Sequence, residues 1–154
     1  MKEWRMQLLK WMIETAVPLL NIFRATPEWH YSMAQQREFP EGTLGRDLAI
    51  FLDSLGLPLL PKYEVHDTLH VLLAYGTSPL EELKLQGFML GNGSCTFAGK
   101  CLFALGVVIV PDHWSELKPE IQRGATVARI AGSDFNQLIR EKTGDLRNRF
   151  GIRC

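Results

Sequence analysis

The stretch His66-Asp67-Thr68-Leu69-His70 carries the residue types most able to do chemistry in this chain. Two histidines stand four residues apart, with a carboxylate beside the first. Val65, Leu69, Val71, Leu72, Leu73 and Ala74 surround them and give the segment a helical, apolar character. On a helix, positions i and i+4 share a face, and Asp67 lies three residues before His70. His66, Asp67 and His70 are therefore placed to converge, as zinc or a transition metal requires. Glu82 follows after eleven intervening residues. Ahead of it, Ser78 is a helix cap, Pro79 a first helical residue and Glu81 the partner in a capping box. The helix from about Tyr63 to Tyr75 is expected to stop at Gly76. The link to the next is only a few residues, so the second helix must fold back and bring Glu82 toward the histidines.

Three readings of these residues stand side by side. One is a polar network without metal, in which Asp67 fixes a histidine. Another is an HD-type phosphohydrolase site, which also uses a His-Asp pair. It needs further ligands, and His30 and His113 are the only other histidines. The third is a metal site made of His66, Asp67, His70 and Glu82. Two imidazoles and two carboxylates suit zinc, iron(II) or manganese(II), and the absence of thiolate argues against a purely structural zinc. An open coordination position is then available to water or a substrate oxygen.

The elements around this pair read as helices. Residues 3 to 24 place Trp4, Leu8, Trp11, Met12, Thr15, Leu19 and Ile22 on one broad face, with Pro18 as a stop or kink. That face is expected to dock on a core, or, given its tryptophans and Lys2, Arg5 and Lys10, on a membrane surface. Thr26-Pro27 is read as a short helix start. Pro40 and Gly42 fix a turn, Thr43 caps a helix over 44–54, and Gly56 ends it. A second-site helix runs to about Leu90. Residues 95–110 are apolar nearly all round. Val107 to Val110 would also suit a buried strand, but no partner strand is evident, so helix is preferred. Helices are expected over 114–131 and 134–150. The fold class is thus all-α: one compact domain of about six to seven helices with a metal site on a helix pair.

The chain has 154 residues, 46% of them hydrophobic and 22% charged, which is enough for one domain with a real core. Net charge is zero and no Lys/Arg run exceeds two residues, so a nucleic-acid footprint is absent. Cys95, Cys101 and Cys154 form no CxxC pair, which points to free thiols in a reducing compartment. No secretory pattern is present, and the most apolar run, Cys101 to Val110, is too short to span a bilayer. The expected location is cytoplasmic, with peripheral contact at the inner face of the membrane as an option.

The pattern H-D-x-x-H, eleven residues, then Glu resembles the motif of the coenzyme Q (ubiquinone) biosynthesis protein 4 family. Here it reads His66-Asp67-Thr68-Leu69-His70 and Glu82. His70-Val71-Leu72 with Tyr75-Gly76-Thr77 is similar to the continuation of that motif, and Phe39-Pro40-Glu41-Gly42-Thr43-Leu44-Gly45-Arg46 resembles a segment preceding it. Arg123-Gly124, Leu146-Arg147 and Gly151-Ile152 resemble the family's C-terminal part, so the likeness spans roughly residues 38 to 152. The resemblance implies an all-helical, peripherally membrane-associated protein of ubiquinone synthesis. Its activity would be metal-dependent removal of the C1 carboxyl group from a polyprenylated hydroxybenzoate-type ring, in an oxidative form coupled to hydroxylation. His66, Asp67, His70 and Glu82 would be the ligands of a divalent metal, zinc first, iron or manganese as alternatives.

A polyprenyl tail needs a long apolar groove. The helix over 101–110 and its approach offer a wall for it, with Gly99, Leu102, Phe103 and Gly106 as lining; ordinary core packing is the competing reading of those four. The implied partners are a prenylated quinone precursor or isoprenoid lipid, other quinone-biosynthesis proteins and a second copy of the chain. No mitochondrial targeting extension is expected, which would suit a bacterial or untargeted member. A different class of function is a non-catalytic scaffold that holds a prenyl lipid and organises quinone enzymes. The HD-type hydrolase remains a third.

Overall fold

The structure, a computed structural model, describes residues 3–21 and 26–153, without the side chains of residues 16–21. Ile22 and Cys154, and the side chains of Pro18 and Leu19, lie outside what is described. Among the described residues the fold is all-helical, as expected. The helices are α1 (Glu3–Asn21), α2 (Met33–Arg37), α3 (Leu44–Leu55), α4 (Glu64–Leu73), α5 (Pro79–Gly91), α6 (Phe97–Ile109), α7 (Trp114–Ala125), α8 (Phe135–Leu138) and α9 (Thr143–Phe150). By their contacts they form two compact units. One takes residues up to Ala25 and Tyr75–Ala131, and the other Thr26–Ala74 and Gly132–Cys154.

In the first unit, Leu9, Met12, Leu83, Leu102, Phe103, Val110 and Leu117 make the core, with Met6 and Ile13 packed against it. The spacing of Met6, Leu9, Met12 and Ile13 is the inward stripe of α1. Of the expected face, Met12 lies in the core, while Trp4, Leu8 and Trp11 face outward, Trp11 with 62% of its surface exposed. Helix α1 also runs on to Asn21, so Pro18 does not end it. Val107 to Ile109 are helical and not a strand, because α6 lies against α1 and α5 and forms its own backbone bonds.

Helices α5 and α7 meet backbone to backbone. A Cβ on Gly91 would sit 1.9 Å from the Ile121 carbonyl oxygen, and one on Gly124 would sit 2.0 Å from the Phe88 carbonyl oxygen. Asn92 ties off this contact. Its buried amide nitrogen donates to the carbonyls of Gly124 (3.2 Å), Val127 (3.0 Å) and Ala128 (3.2 Å), and its oxygen accepts from Ile130 N (3.0 Å). The chain therefore leaves helical geometry after Ala125, short of the expected 131. Nearby, Arg123 lies over the rings of Phe88 (4.9 Å) and Tyr75 (5.0 Å). It donates to the Tyr75 hydroxyl, which donates to Glu120 (2.5 Å). Burial first, and then the Glu120 carboxylate, push the Tyr75 hydroxyl well above the usual phenol range.

The second unit is built on Leu48, Leu52 and Ile139, with Trp29, Tyr31, Phe39, Phe51 and Val71 against them. Thr43 caps α3 through Arg46 N (3.4 Å), and Gly56 is its left-handed stop, as expected. Gly45 is needed for packing: its Cβ would fall 2.7 Å from Phe39 and 2.8 Å from Ile139. No helix starts at Thr26. The first turn begins at Met33, because Ser32 and Gln35 complete a capping box there. The helix expected over 134–150 is broken into α8 and α9. Between them the chain runs alongside α3's start, where Gly45 N donates to Ile139 O (2.8 Å), Leu44 N to Glu141 O (2.8 Å) and Thr143 N to Gly42 O (2.9 Å). Those extended bonds displace the helical ones.

Candidate metal centre

Helix α4 begins after Lys62, which holds a left-handed φ of 74°. Its first turn has no side-chain cap, but the Thr68 hydroxyl donates to Glu64 O (2.6 Å). Its other end falls at Ala74, a left-handed residue with φ 59°, and not at Gly76 as the glycine suggested. Arg147 secures that end by donating through Nε to Leu72 O (3.0 Å) and through Nη2 to Val71 O (2.8 Å), two carbonyls of the last turn.

This helix carries both histidines. The Nε2 atoms of His66 and His70 are 3.1 Å apart, and their rings cross at 84° with centroids 4.7 Å apart. His70 is only 4% exposed, and its ring lies 17° from parallel to Phe51 with centroids 6.1 Å apart. Phe51 therefore limits how far that imidazole can turn.

The second helix starts as the sequence indicates. Ser78 Oγ accepts from Glu81 N (3.3 Å) and Pro79 is the first helical residue. The capping box is half formed. Glu81 reaches past Ser78 to Gly76 N (3.4 Å) and also pairs with Lys84 (2.9 Å). Glu82 is buried in the first turn, 9% exposed. Its Oε1 accepts from Gln86 Nε2 at 2.8 Å.

His66, His70 and Glu82 each offer one ligand atom, and these atoms all lie within 4.8 Å of one another. An ion bound at about 2.0–2.2 Å from each of two imidazole nitrogens in tetrahedral geometry sets those nitrogens about 3.3–3.6 Å apart. The observed 3.1 Å falls about 0.2 Å short of that separation and is also hydrogen-bonding distance between the two rings. A donor set of two imidazoles and a carboxylate is one of those found in catalytic zinc sites. The group can therefore hold a divalent metal ion. Asp67, half-buried next to His66, is not one of the three. Nor are the other histidines. His30 lines a pocket of about 400 Å³ with Trp29, Val65, Phe135 and Asn136, and His113 Nδ1 is bonded to Glu116 (2.7 Å). The extra histidine an HD-type site needs is not supplied among the described residues.

The four lipid-groove candidates pack in the core of their unit. Leu102 and Phe103 are buried against Leu9, Met12 and Leu83. A Cβ on Gly106 would sit 2.3 Å from Leu83, and one on Gly99 2.2 Å from Gln86 Oε1. The small residues make room for these side chains, which is the core-packing reading of the four. The outward side of α6 is Phe97, Leu105 and Val108. Among the described residues no single helix is long and apolar enough to cross a membrane. Residues 97–109 and 111–125 pass that test only as a pair bent by 102°.

Sequence reasoning missed three supporting residues. Phe51 and Arg147 come from distant segments, and nothing local announces them. Gln86 had a signal, since it stands four residues after Glu82 on the same helix.

No protein-family model matches the chain, and no curated protein matches it significantly. Among solved structures, the chain is similar to a protein of Nostoc punctiforme PCC 73102 provisionally named a ubiquinone biosynthesis protein. The likeness has a TM-score of 0.67 at 22% identity, over 97% of this chain and 82% of that one. This chain shares the all-helical fold of that protein.

Proposed function

We propose that this chain is a metal-dependent protein of quinone biosynthesis that removes the C1 carboxyl group from a polyprenylated hydroxybenzoate-type ring. The observation that carries the reading is the pair of imidazole nitrogens 3.1 Å apart on α4, with the buried Glu82 in the same group. The name of the similar Nostoc protein supports the pathway, and the H-D-x-x-H and Glu82 motif supports the reaction.

In this reading His66 and His70 would hold the ion through imidazole nitrogens, and the Glu82 carboxylate would offset its charge. Asp67 is proposed as a fourth ligand or as the group that orients His66. Phe51 and the Arg147-held end of α4 keep His70 in place. Loss of carbon dioxide leaves an electron pair on the ring carbon, which takes up a proton in the redox-neutral form. In the oxidative form an external oxidant must supply the oxygen. A divalent metal, zinc first and iron or manganese as alternatives, would supply a Lewis acid for the negative charge that develops on ring oxygens. The prenyl tail, other quinone-biosynthesis proteins and a second copy of the chain are the proposed partners, with peripheral attachment at the inner membrane face.

The exposed apolar side chains Trp4, Trp11, Phe97 and Val108 favour a second reading, a scaffold that holds a prenyl lipid without turning it over. Incubation with a carboxyl-labelled prenylated hydroxybenzoate in detergent separates the two. The enzyme releases labelled carbon dioxide and His70→Ala does not. Lipid retention with no release in either protein, under anaerobic and aerobic conditions, favours the scaffold and defeats the decarboxylase.

A further inference from the structure

We infer that Gln86 is a positioning residue for Glu82, holding its carboxylate in the orientation in which a divalent cation meets it. The inference rests on the metal reading above and deepens it. Glu82 and Gln86 are both buried, at 9% and 8% exposure. Gln86 Nε2 donates to Glu82 Oε1 at 2.8 Å, and Gln86 Oε1 faces the Cys95 thiol at 3.7 Å. An amide has one donor end and one acceptor end. A carboxylate on one side and a thiol donor on the other select a single orientation of it. The reversed amide would set oxygen against oxygen at Glu82.

Two further observations support a built arrangement. Burial pushes the Cys95 thiol up to about 11, so it stays protonated and keeps its hydrogen to give. Gly99 supplies the room, since a Cβ there would lie 2.2 Å from Gln86 Oε1 and 2.9 Å from Cys95 Sγ. This glycine is the seat of the amide. Pinning one carboxylate oxygen fixes the plane of the group and so the direction of the other oxygen. A neutral donor does this without cancelling the charge that attracts a cation, which Lys or Arg at the same position would do. Partners of this kind commonly contribute about 10–100-fold to metal affinity.

The test is zinc affinity of the metal-stripped full chain, read by competition with a chromophoric chelator, with circular dichroism to establish folding. Gln86→Met keeps the size and removes the donor. It is expected to weaken zinc about 10–100-fold while remaining folded. Gly99→Ala, whose methyl falls on the amide oxygen, is expected to weaken zinc in the same direction. Cobalt(II) in place of zinc should show altered visible bands in Gln86→Met, a change that lost packing elsewhere would not produce. If Gln86→Met does not fold, Cys95→Ala takes its place, with an expected loss of about threefold or more. Zinc held within twofold of wild type by the folded variant, with unchanged cobalt bands, overturns the positioning role. His70→Ala separates this failure from a wider one. If His70→Ala loses zinc and Gln86→Met does not, only the positioning role falls. If the wild-type chain takes up no zinc or cobalt, the metal reading falls with it.

Discussion

Replacement of Gly124 by alanine tests the contact on which α5 depends. In an open helix interior this change would add about 1 kcal/mol of stability through helix propensity. Here the new Cβ would sit 2.0 Å from the Phe88 carbonyl oxygen, 2.9 Å from its carbon and 3.0 Å from Asn92 N. A carbon and a carbonyl oxygen rest at about 3.3 Å, so the two helices must part by about 1.3 Å. None of these neighbours is a side chain that can swing away. Overpacking of this kind costs about 1–3 kcal/mol, sometimes more. With about 3 kcal/mol against the substitution and about 1 kcal/mol for it, the net loss is about 2 kcal/mol. For a chain of this length that lowers the melting temperature by about 4–8 °C. Gly144 in α9 is the control: nothing lies within 4 Å of its Cβ, so Gly144→Ala should hold or gain stability. Urea unfolding followed by circular dichroism measures both. Gly124→Ala as stable as wild type, alongside a neutral Gly144→Ala, would refute the close approach of α5 and α7.

Other consequences follow from single positions. Ala74 ends α4 in the left-handed region at φ 59°, which costs a residue with a Cβ about 1–2 kcal/mol. Ala74→Gly should therefore raise stability by about 0.5–1 kcal/mol after its larger unfolded-state entropy is subtracted, and a lower urea midpoint would contradict this. Asn92→Ala removes donors to three carbonyls and the acceptor of Ile130 N. A loss of about 2–4 kcal/mol is expected, and a loss under about 0.5 kcal/mol would show the hub to be dispensable. Protons compete with a metal for the two imidazoles, so zinc affinity should fall as pH is lowered. A flat profile between neutral and mildly acidic pH would exclude histidine ligation.

The legible part of the site is the part encoded locally. His66 and His70 lie on one helix, and helical periodicity alone brings their nitrogens together. Glu82 was reachable because Ser78 and Pro79 mark where its helix begins, and the link before them is short. What could not be read depends on residues far apart in sequence. Phe51 against His70 and Arg147 at the carbonyls of α4 come from other helices. The break between α8 and α9 arises from bonds to the start of α3, which no propensity reveals. Small residues leave two readings open, a groove wall or core packing, and Gly99 and Gly106 lie against Gln86 and Leu83. On α1 the sequence pattern suits docking on a core or on a membrane surface; Met12 of that face is in the core with Met6, Leu9 and Ile13, while the tryptophans are exposed.

Metal content of the purified chain bears most directly on the central claim. The metal-stripped protein, reloaded with zinc and freed of excess, is analysed by elemental mass spectrometry beside His66→Ala, His70→Ala and Glu82→Gln. About one equivalent is expected on the wild-type chain, and its loss from both folded histidine variants. No metal on the folded wild-type chain, or a full equivalent still held by His66→Ala and His70→Ala, would contradict it.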